Sequence, residues 1–187
     1  MKIGIISDTH GSATAWSMAY EKYLMHTEQI LHAGDVLYHG PRNQISDGYG
    51  PSRLAAELNA CPVPILASRG NCDSEVDASV LEMPLASPYA FAVLNGRRVL
   101  VTHGHFTETR EEQYALAEKL KADIFVSGHT HISLLERRGS IVFVNPGSPS
   151  LSKRSDGRST LALMDEREIS VIDIYTGEVL DKMLLSE

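Results

Sequence analysis

The segment MKIGIISDTHG, residues 1–11, decides how this chain is read. Ile3, Gly4, Ile5 and Ile6 form a run without polar alternation, which suits a strand covered on both faces. The run stops at Ser7 and Asp8. From about Ser12 to Leu24 the residues Ala15, Trp16, Met18, Ala19 and Tyr23 recur at helical spacing, with Ser12 and Thr14 as candidate N-caps. A strand that empties into polar residues and then a helix is the start of a βα unit. The same transition recurs in QILHAGD, ending at Asp35, in PILASRGN, ending at Asn71, in RVLVTHG, reaching His103, and in DIFVSGH, ending at His129.

Around these units the pattern varies. Tyr38 to Ser52 is a Gly- and Pro-rich stretch too long for a tight connection, and is read as an active-site wall. Helical spacing returns from Arg53 to Leu58 and from about Thr109 to Lys121, where Tyr114, Ala117 and Leu120 share a face. Asn95-Gly96, between AFAVL and RRVLV, signals a two-residue hairpin. After His131 the chain reads as strands only: ISLLER, SIVFVN, STLALMD, EISVIDIY and VLDKMLL. A βα half followed by a β half predicts an α/β fold of two mixed β-sheets packed as a sandwich with helices on the outer faces.

With 187 residues, 43% hydrophobic and 22% charged, the chain is expected to fold as one domain, residues 1–187. No run approaches the ~20 apolar residues of a membrane span and the N-terminal residues lack a signal-peptide pattern, so the expected address is the cytosol. Cys61 and Cys72 are expected to be free thiols. A net charge of −7 argues against nucleic acid as a scaffold-bound partner. A small phosphorylated substrate is compatible with it, because metal ions reverse the local field. A homo-oligomer stays open.

The chemistry lies in the polar strand ends. Asp8 and His10, one residue apart, leave the same face of an extended chain and can grip one ion. Asp35, Asn71, His103, and His129 with His131 follow at intervals near the ~30 residues of a strand and its crossover, so each falls at the same end of a different strand, where open α/β sheets place their sites. Two carboxylates, one amide and four imidazoles suit borderline divalent ions such as Mn²⁺, Zn²⁺ or Fe²⁺. Seven ligands exceed what one ion needs. A shared Asp allows two ions at about 3.5–4 Å, the arrangement of two-metal phosphate hydrolysis.

In order and spacing, DTH, GDV, GN, THGH and GHTH resemble the calcineurin-like metallophosphoesterases, from Lys2 through Asn145–Ser148; GDVLYHGPRN and RGNCDSEVD are similar to the small bacterial phosphodiesterases of the YfcE type. The resemblance implies a four-layer α/β/β/α fold. It puts Asp8, His10 and His131 on one ion, Asn71, His103 and His129 on the other, and Asp35 between them. It also implies two divalent ions per chain, Mn²⁺ first with Zn²⁺, Fe²⁺ or Ni²⁺ as alternatives, and a phosphodiesterase using a hydroxide between the ions as nucleophile. Cys72 departs from the pattern: many relatives have His there, which serves the leaving oxygen, so monoesters with poor leaving groups are not favoured.

Each residue also has a plainer reading. His32, within an apolar strand, reads as a hydrogen-bonded core histidine, and His26 as solvent-facing. His39 and His105 lie close enough to ligands to meet substrate. Arg69 has two equal readings, phosphate binding and an internal salt bridge. Arg42 is similar. Lys153, Arg154 and Arg158 read as an exposed loop, and Asn145-Pro146-Gly147 as a turn capped by Asn. The rival functions are a phosphomonoesterase on a nucleotide or sugar phosphate, and a protein-binding scaffold like the vacuolar-sorting subunit of the retromer coat. The complete ligand set weighs against the scaffold.

Overall fold

The computed structural model describes residues 1–107 and 109–185. Ile3–Ile6 (β1), Gln29–His32 (β2), Ile65–Ser68 (β3) and Leu85–Ala86 (β4) pair in parallel at one side of a seven-stranded sheet. Thr160–Met164 (β10), Glu168–Asp173 (β11) and Val179–Leu184 (β12) continue it antiparallel from β1, giving the order β12-β11-β10-β1-β2-β3-β4. A second sheet has the order β5-β6-β7-β9-β8, built from Ala90–Leu94 (β5), Arg97–Val101 (β6), Ile124–Val126 (β7), Leu134–Arg138 (β8) and Ile141–Asn145 (β9). Both sheets mix parallel and antiparallel pairs.

The side-chain period of a strand explains the layers. Ile3 and Ile5 of β1 join Leu31, Val99, Val101, Ile124, Val126, Val142 and Val144 in one core between the sheets. Ile6 points the other way, onto Trp16 and Ala19 of Ala13–Lys22 (α1) and Leu54 and Leu58 of Pro51–Asn59 (α2). On the far face of the second sheet Leu100, Phe125 and Phe143 cover Ala117 of Arg110–Lys119 (α4). The result is the expected helix–sheet–sheet–helix stack.

Ser12 caps α1, accepting from the Ala15 amide, and Asn95 and Gly96 both take positive φ at the β5–β6 turn, as a two-residue hairpin requires. Two elements escape periodicity reasoning. Glu75–Val80 (α3) has only six residues, too few for a repeat, but Ser74 and Asp77 form a capping box that S-x-x-D advertises. The two-residue β4 carries no pattern. Cys61 and Cys72 are free.

Candidate metal centre

The polar residues gather where β1, β2, β3, β6 and β7 end. Among the described residues seven that are not glycine have positive φ, and five of them are Asp8, His10, Asp35, His129 and His131. Left-handed backbone costs roughly 1–3 kcal/mol per such residue and persists only where the surroundings enforce it. Here the enforcement is visible. Asp8 N–H donates to Gly34 O (3.0 Å), His10 N–H to Asp35 O (3.0 Å) and Gly11 N–H to Val36 O (2.8 Å), so the turns after β1 and β2 are laced together. Ser148 Oγ–H donates to Asp8 O at 2.7 Å, tying in the turn after β9. A Cβ on Gly70 would overlap the amide N and Oδ1 of Asp35, and one on Gly128 would overlap Ser7 Oγ; the glycines before Asn71 and His129 are therefore required by close approach.

The side chains then converge. His10 Nε2 lies 3.1 Å from His131 Nε2, and the two lie 3.6 and 3.3 Å from Asp8 Oδ1. Asp35 Oδ2 is 3.6 Å from His10 Nε2 and 3.3 Å from His103 Nε2, which is 3.1 Å from Asn71 Oδ1. His129 meets His103 ring against ring, centroids 5.1 Å apart. Asp35 thus stands between a cluster of Asp8, His10 and His131 and a cluster of Asn71, His103 and His129.

These residues fit metal ions for a specific reason. Nδ1 of His10, His131 and His103 lies 2.7, 2.7 and 2.8 Å from the carbonyl oxygens of Tyr38, Leu151 and Ala33. A carbonyl only accepts, so each Nδ1 carries a proton and each neutral ring presents a bare Nε2 lone pair to the centre. Asp8 Oδ1 is buried there without a hydrogen bond. Lone pairs and carboxylate oxygens facing one another need cations between them. Without metal, protons serve: burial opposes the charge, but Asp35 and Asp8 outweigh it and hold His103 up at about 9 and raise His10. Asp8 is driven well below the carboxylate range, its burial outweighed by His10 and His131.

This has a measurable consequence. His103 titrates near its ordinary 6.5 when unfolded and at about 9 when folded without metal. Its stabilising contribution is full below pH 6.5 and disappears as pH rises through 9. The metal-free protein should lose thermal stability across that window, and His103→Gln should flatten the dependence. Metal must expel the same proton, so uptake should release protons into buffer below pH 9. A metal-free melting temperature constant from pH 6.5 to 9 would refute this protonation state.

The remaining candidates fall in different places. Cys72 Sγ lies within 4.8 Å of ligand atoms of His10 and Asp35 and accepts from Asn71 Nδ2 at 3.4 Å, which turns the Asn71 oxygen toward His103. Burial and the Asp35 carboxylate push its thiol up to about 12. His105 stacks on Phe106, 5.4 Å from the His103 ring, and burial with His103 nearby lowers it to about 4. His39 is 3.3 Å from Tyr49 Oη and packs against Tyr38 and Tyr49. Arg69 is engaged by Asp73 O (3.1 Å) and Glu75 (3.0 Å), the salt-bridge reading. His32 is buried and neutral, lowered to about 4, taking the Gly34 N–H on Nδ1 with Nε2 at Thr9 Oγ1.

Sequence reasoning missed Asp73. Its buried carboxylate accepts from the amides of Asp35 (2.9 Å), Val36 (2.7 Å) and Gly70 (2.7 Å), joining the turns that carry Asp35 and Asn71. The D of GNCD was its only signal. Asn145 was half read: its Oδ1 caps Gly147, as expected of a turn, while its Nδ2 holds Gly128 O at 2.7 Å and so braces the GHTH turn.

The family model of the calcineurin-like phosphoesterase superfamily domain matches residues 1–168. Over all 187 residues the chain is 36% identical to phosphodiesterase YfcE of Escherichia coli K12, covering 100% of this chain and 99% of that protein. The solved structure of E. coli YfcE, described as a phosphoesterase, matches with a TM-score of 0.87 at 32% identity, covering 100% of both chains. Vps29 of Entamoeba histolytica, solved with zinc, matches with a TM-score of 0.72 at 18% identity, again covering 100% of both, a likeness of fold alone.

Proposed function

The chain belongs to the calcineurin-like phosphoesterase superfamily and is a metal-dependent hydrolase of phosphate esters, and from that premise we propose that it cleaves a small phosphodiester with manganese as its resident metal. In this reading Asp8, His10 and His131 hold one ion, Asn71, His103 and His129 the other, and Asp35 both. What supports it most is the set of Nε2 lone pairs, each aimed inward by a carbonyl behind its ring. When bound, the ions supply Lewis acidity toward a phosphoryl oxygen and a nucleophile at neutral pH.

The chain's own residues orient and exclude. Cys72 N–H holds Asp35 Oδ1 at 2.8 Å, which leaves Oδ2 for the interior. His105, at about 4, is neutral at pH 7 and offers no imidazolium to a leaving group, and the Cys72 thiol, up to about 12, is a weak donor. Neither of these two side chains is a strong proton donor to a leaving oxygen. Aryl phosphodiesters should therefore be turned over faster than aryl phosphomonoesters by metal-stripped protein reconstituted with Mn²⁺; the opposite order would favour the phosphomonoesterase reading. Cys72→His should narrow the gap between aryl and alkyl esters by about 10²-fold, the usual worth of general acid catalysis. If Cys72→His does not help alkyl esters selectively at matched metal occupancy, position 72 does not govern the leaving group.

Residues 1–187 read as one domain, supported by a core that draws on both sheets. A cytosolic address fits the described residues, none of whose helices is long and apolar enough to cross a membrane.

A further inference from the structure

The cleft over the candidate ligands has a volume of 710 Å³, within the range of small-molecule sites. Besides Asn71, Cys72 and His131 it is lined by Arg42 and Lys153, from loops far apart in the chain. Both loops are anchored near the centre. Lys153 N–H donates to His131 O at 3.0 Å, two residues after the carbonyl of Leu151 that receives His131 Nδ1–H. Asn43 Nδ2 donates to His39 O at 2.8 Å and secures the turn that carries Arg42.

Among the described residues neither the Arg42 guanidinium nor the Lys153 ammonium has an ion pair or hydrogen bond. Other cations near the site are engaged. Arg69 is on Glu75, Arg154 on Asp156, and Arg110, in a neighbouring cavity of 480 Å³, on Gln113 (2.6 Å) and Glu136 (3.6 Å). Two unpaired cations thus line one cleft of a chain whose net charge is −7. The scissile phosphate would not need them, since metal ions held by the candidate ligands would answer its charge. A forked guanidinium and an ammonium together match a phosphomonoester, which carries about −1.5 to −2 at neutral pH.

We propose that Arg42 and Lys153 bind a second phosphate on one arm of the substrate, so that the natural phosphodiester carries a phosphomonoester beside its scissile bond. The inference rests on the phosphodiesterase reading and deepens it. The test compares p-nitrophenyl 2-phosphoethyl phosphate with p-nitrophenyl 2-methoxyethyl phosphate, a pair sharing leaving group and arm length in which neither arm carries a hydroxyl able to attack the scissile phosphorus, by nitrophenol release from the Mn²⁺-loaded protein. Wild type should show a kcat/KM about tenfold or more higher for the phosphorylated ester, carried by KM and reduced by salt. In Arg42→Ala/Lys153→Ala the ratio should fall to about one, and Arg42→Lys should keep part of it. A phosphorylated ester seated the wrong way round would instead inhibit turnover of the methoxy ester, more strongly in wild type than in the double variant, and would support the same assignment. Equal kcat/KM for both esters without such inhibition, or a preference that survives in the double variant, overturns the inference while the phosphodiesterase reading stands. Turnover of neither ester overturns that reading and the inference with it.

Discussion

Asp35→Asn is expected to lower turnover of an aryl phosphodiester by at least about 10²-fold and to leave at most one tightly held ion per chain. Even the hydrogen-bonding partner of a metal ligand is worth about 10–100-fold in affinity or activity, and Asp35 is poised between both clusters. Its Oδ2 lies 3.6 Å from His10 Nε2 and 3.3 Å from His103 Nε2 while Oδ1 is occupied by the Cys72 amide. In the variant the amide oxygen keeps Cys72 N–H, and above pH 9, where the metal-free His103 ring is neutral, the new NH₂ faces the two lone pairs and donates to one of them. Without metal the variant should therefore melt no lower than wild type above pH 9, and lower than wild type below it, where Asp35 pairs with the His103 imidazolium. That combination, dead enzyme in a stable fold, separates loss of the bridge from loss of structure. A variant that keeps two ions and normal turnover would show that the clusters do not share Asp35.

The second large effect belongs to a residue that touches neither cluster. Asp73→Ala strands the amides of Asp35, Val36 and Gly70, all buried around its carboxylate. An orphaned buried donor costs roughly 1–3 kcal/mol, and burial, which raises the Asp73 pKa despite these donors, offsets part of that sum. A net loss of about 3 kcal/mol lowers the melting temperature by about 6–12 °C in a domain of this size. Metal should be lost in parallel, because the turns bearing Asp35 and Asn71 separate. Asp73→Asn keeps the oxygen that serves Asp35 and Gly70, and should fall between the two. A melting temperature for Asp73→Ala within about 2 °C of wild type would mean that water replaces the carboxylate.

What could be read in advance follows from what each element needs. β1 and β7 announce themselves because a strand buried on both faces must be apolar throughout, and β2, β3 and β6 by the apolar residues at their centres, each run giving way to polar residues where a candidate ligand follows. The hairpin turn at Asn95 and the cap at Ser12 are local chemistry, legible from two or three residues. The candidate site was legible as a list of side chains that converge, since DTH, GD, GN, THGH and GHTH keep their order whatever the fold does. Its scaffolding was not. Asp73 organises three amides through contacts 3 to 38 residues away, and an acid beside a cysteine looks like any surface acid in the sequence. The left-handed backbone at Asp8, His10, Asp35, His129 and His131 is likewise a tertiary product, enforced by bonds between turns. Arg69 shows the reverse limit: its type suited phosphate and a salt bridge equally, and the pair with Glu75 is visible only in the structure.

The central claim is a dinuclear centre made by seven side chains, and metal stoichiometry tests it most directly. Metal-stripped protein should be dialysed to equilibrium against Mn²⁺, freed of excess ion, and assayed for metal by elemental analysis alongside turnover of an aryl phosphodiester. The account predicts two ions per chain, with turnover appearing as the second is taken up. Full turnover in protein that holds one ion or none would contradict it.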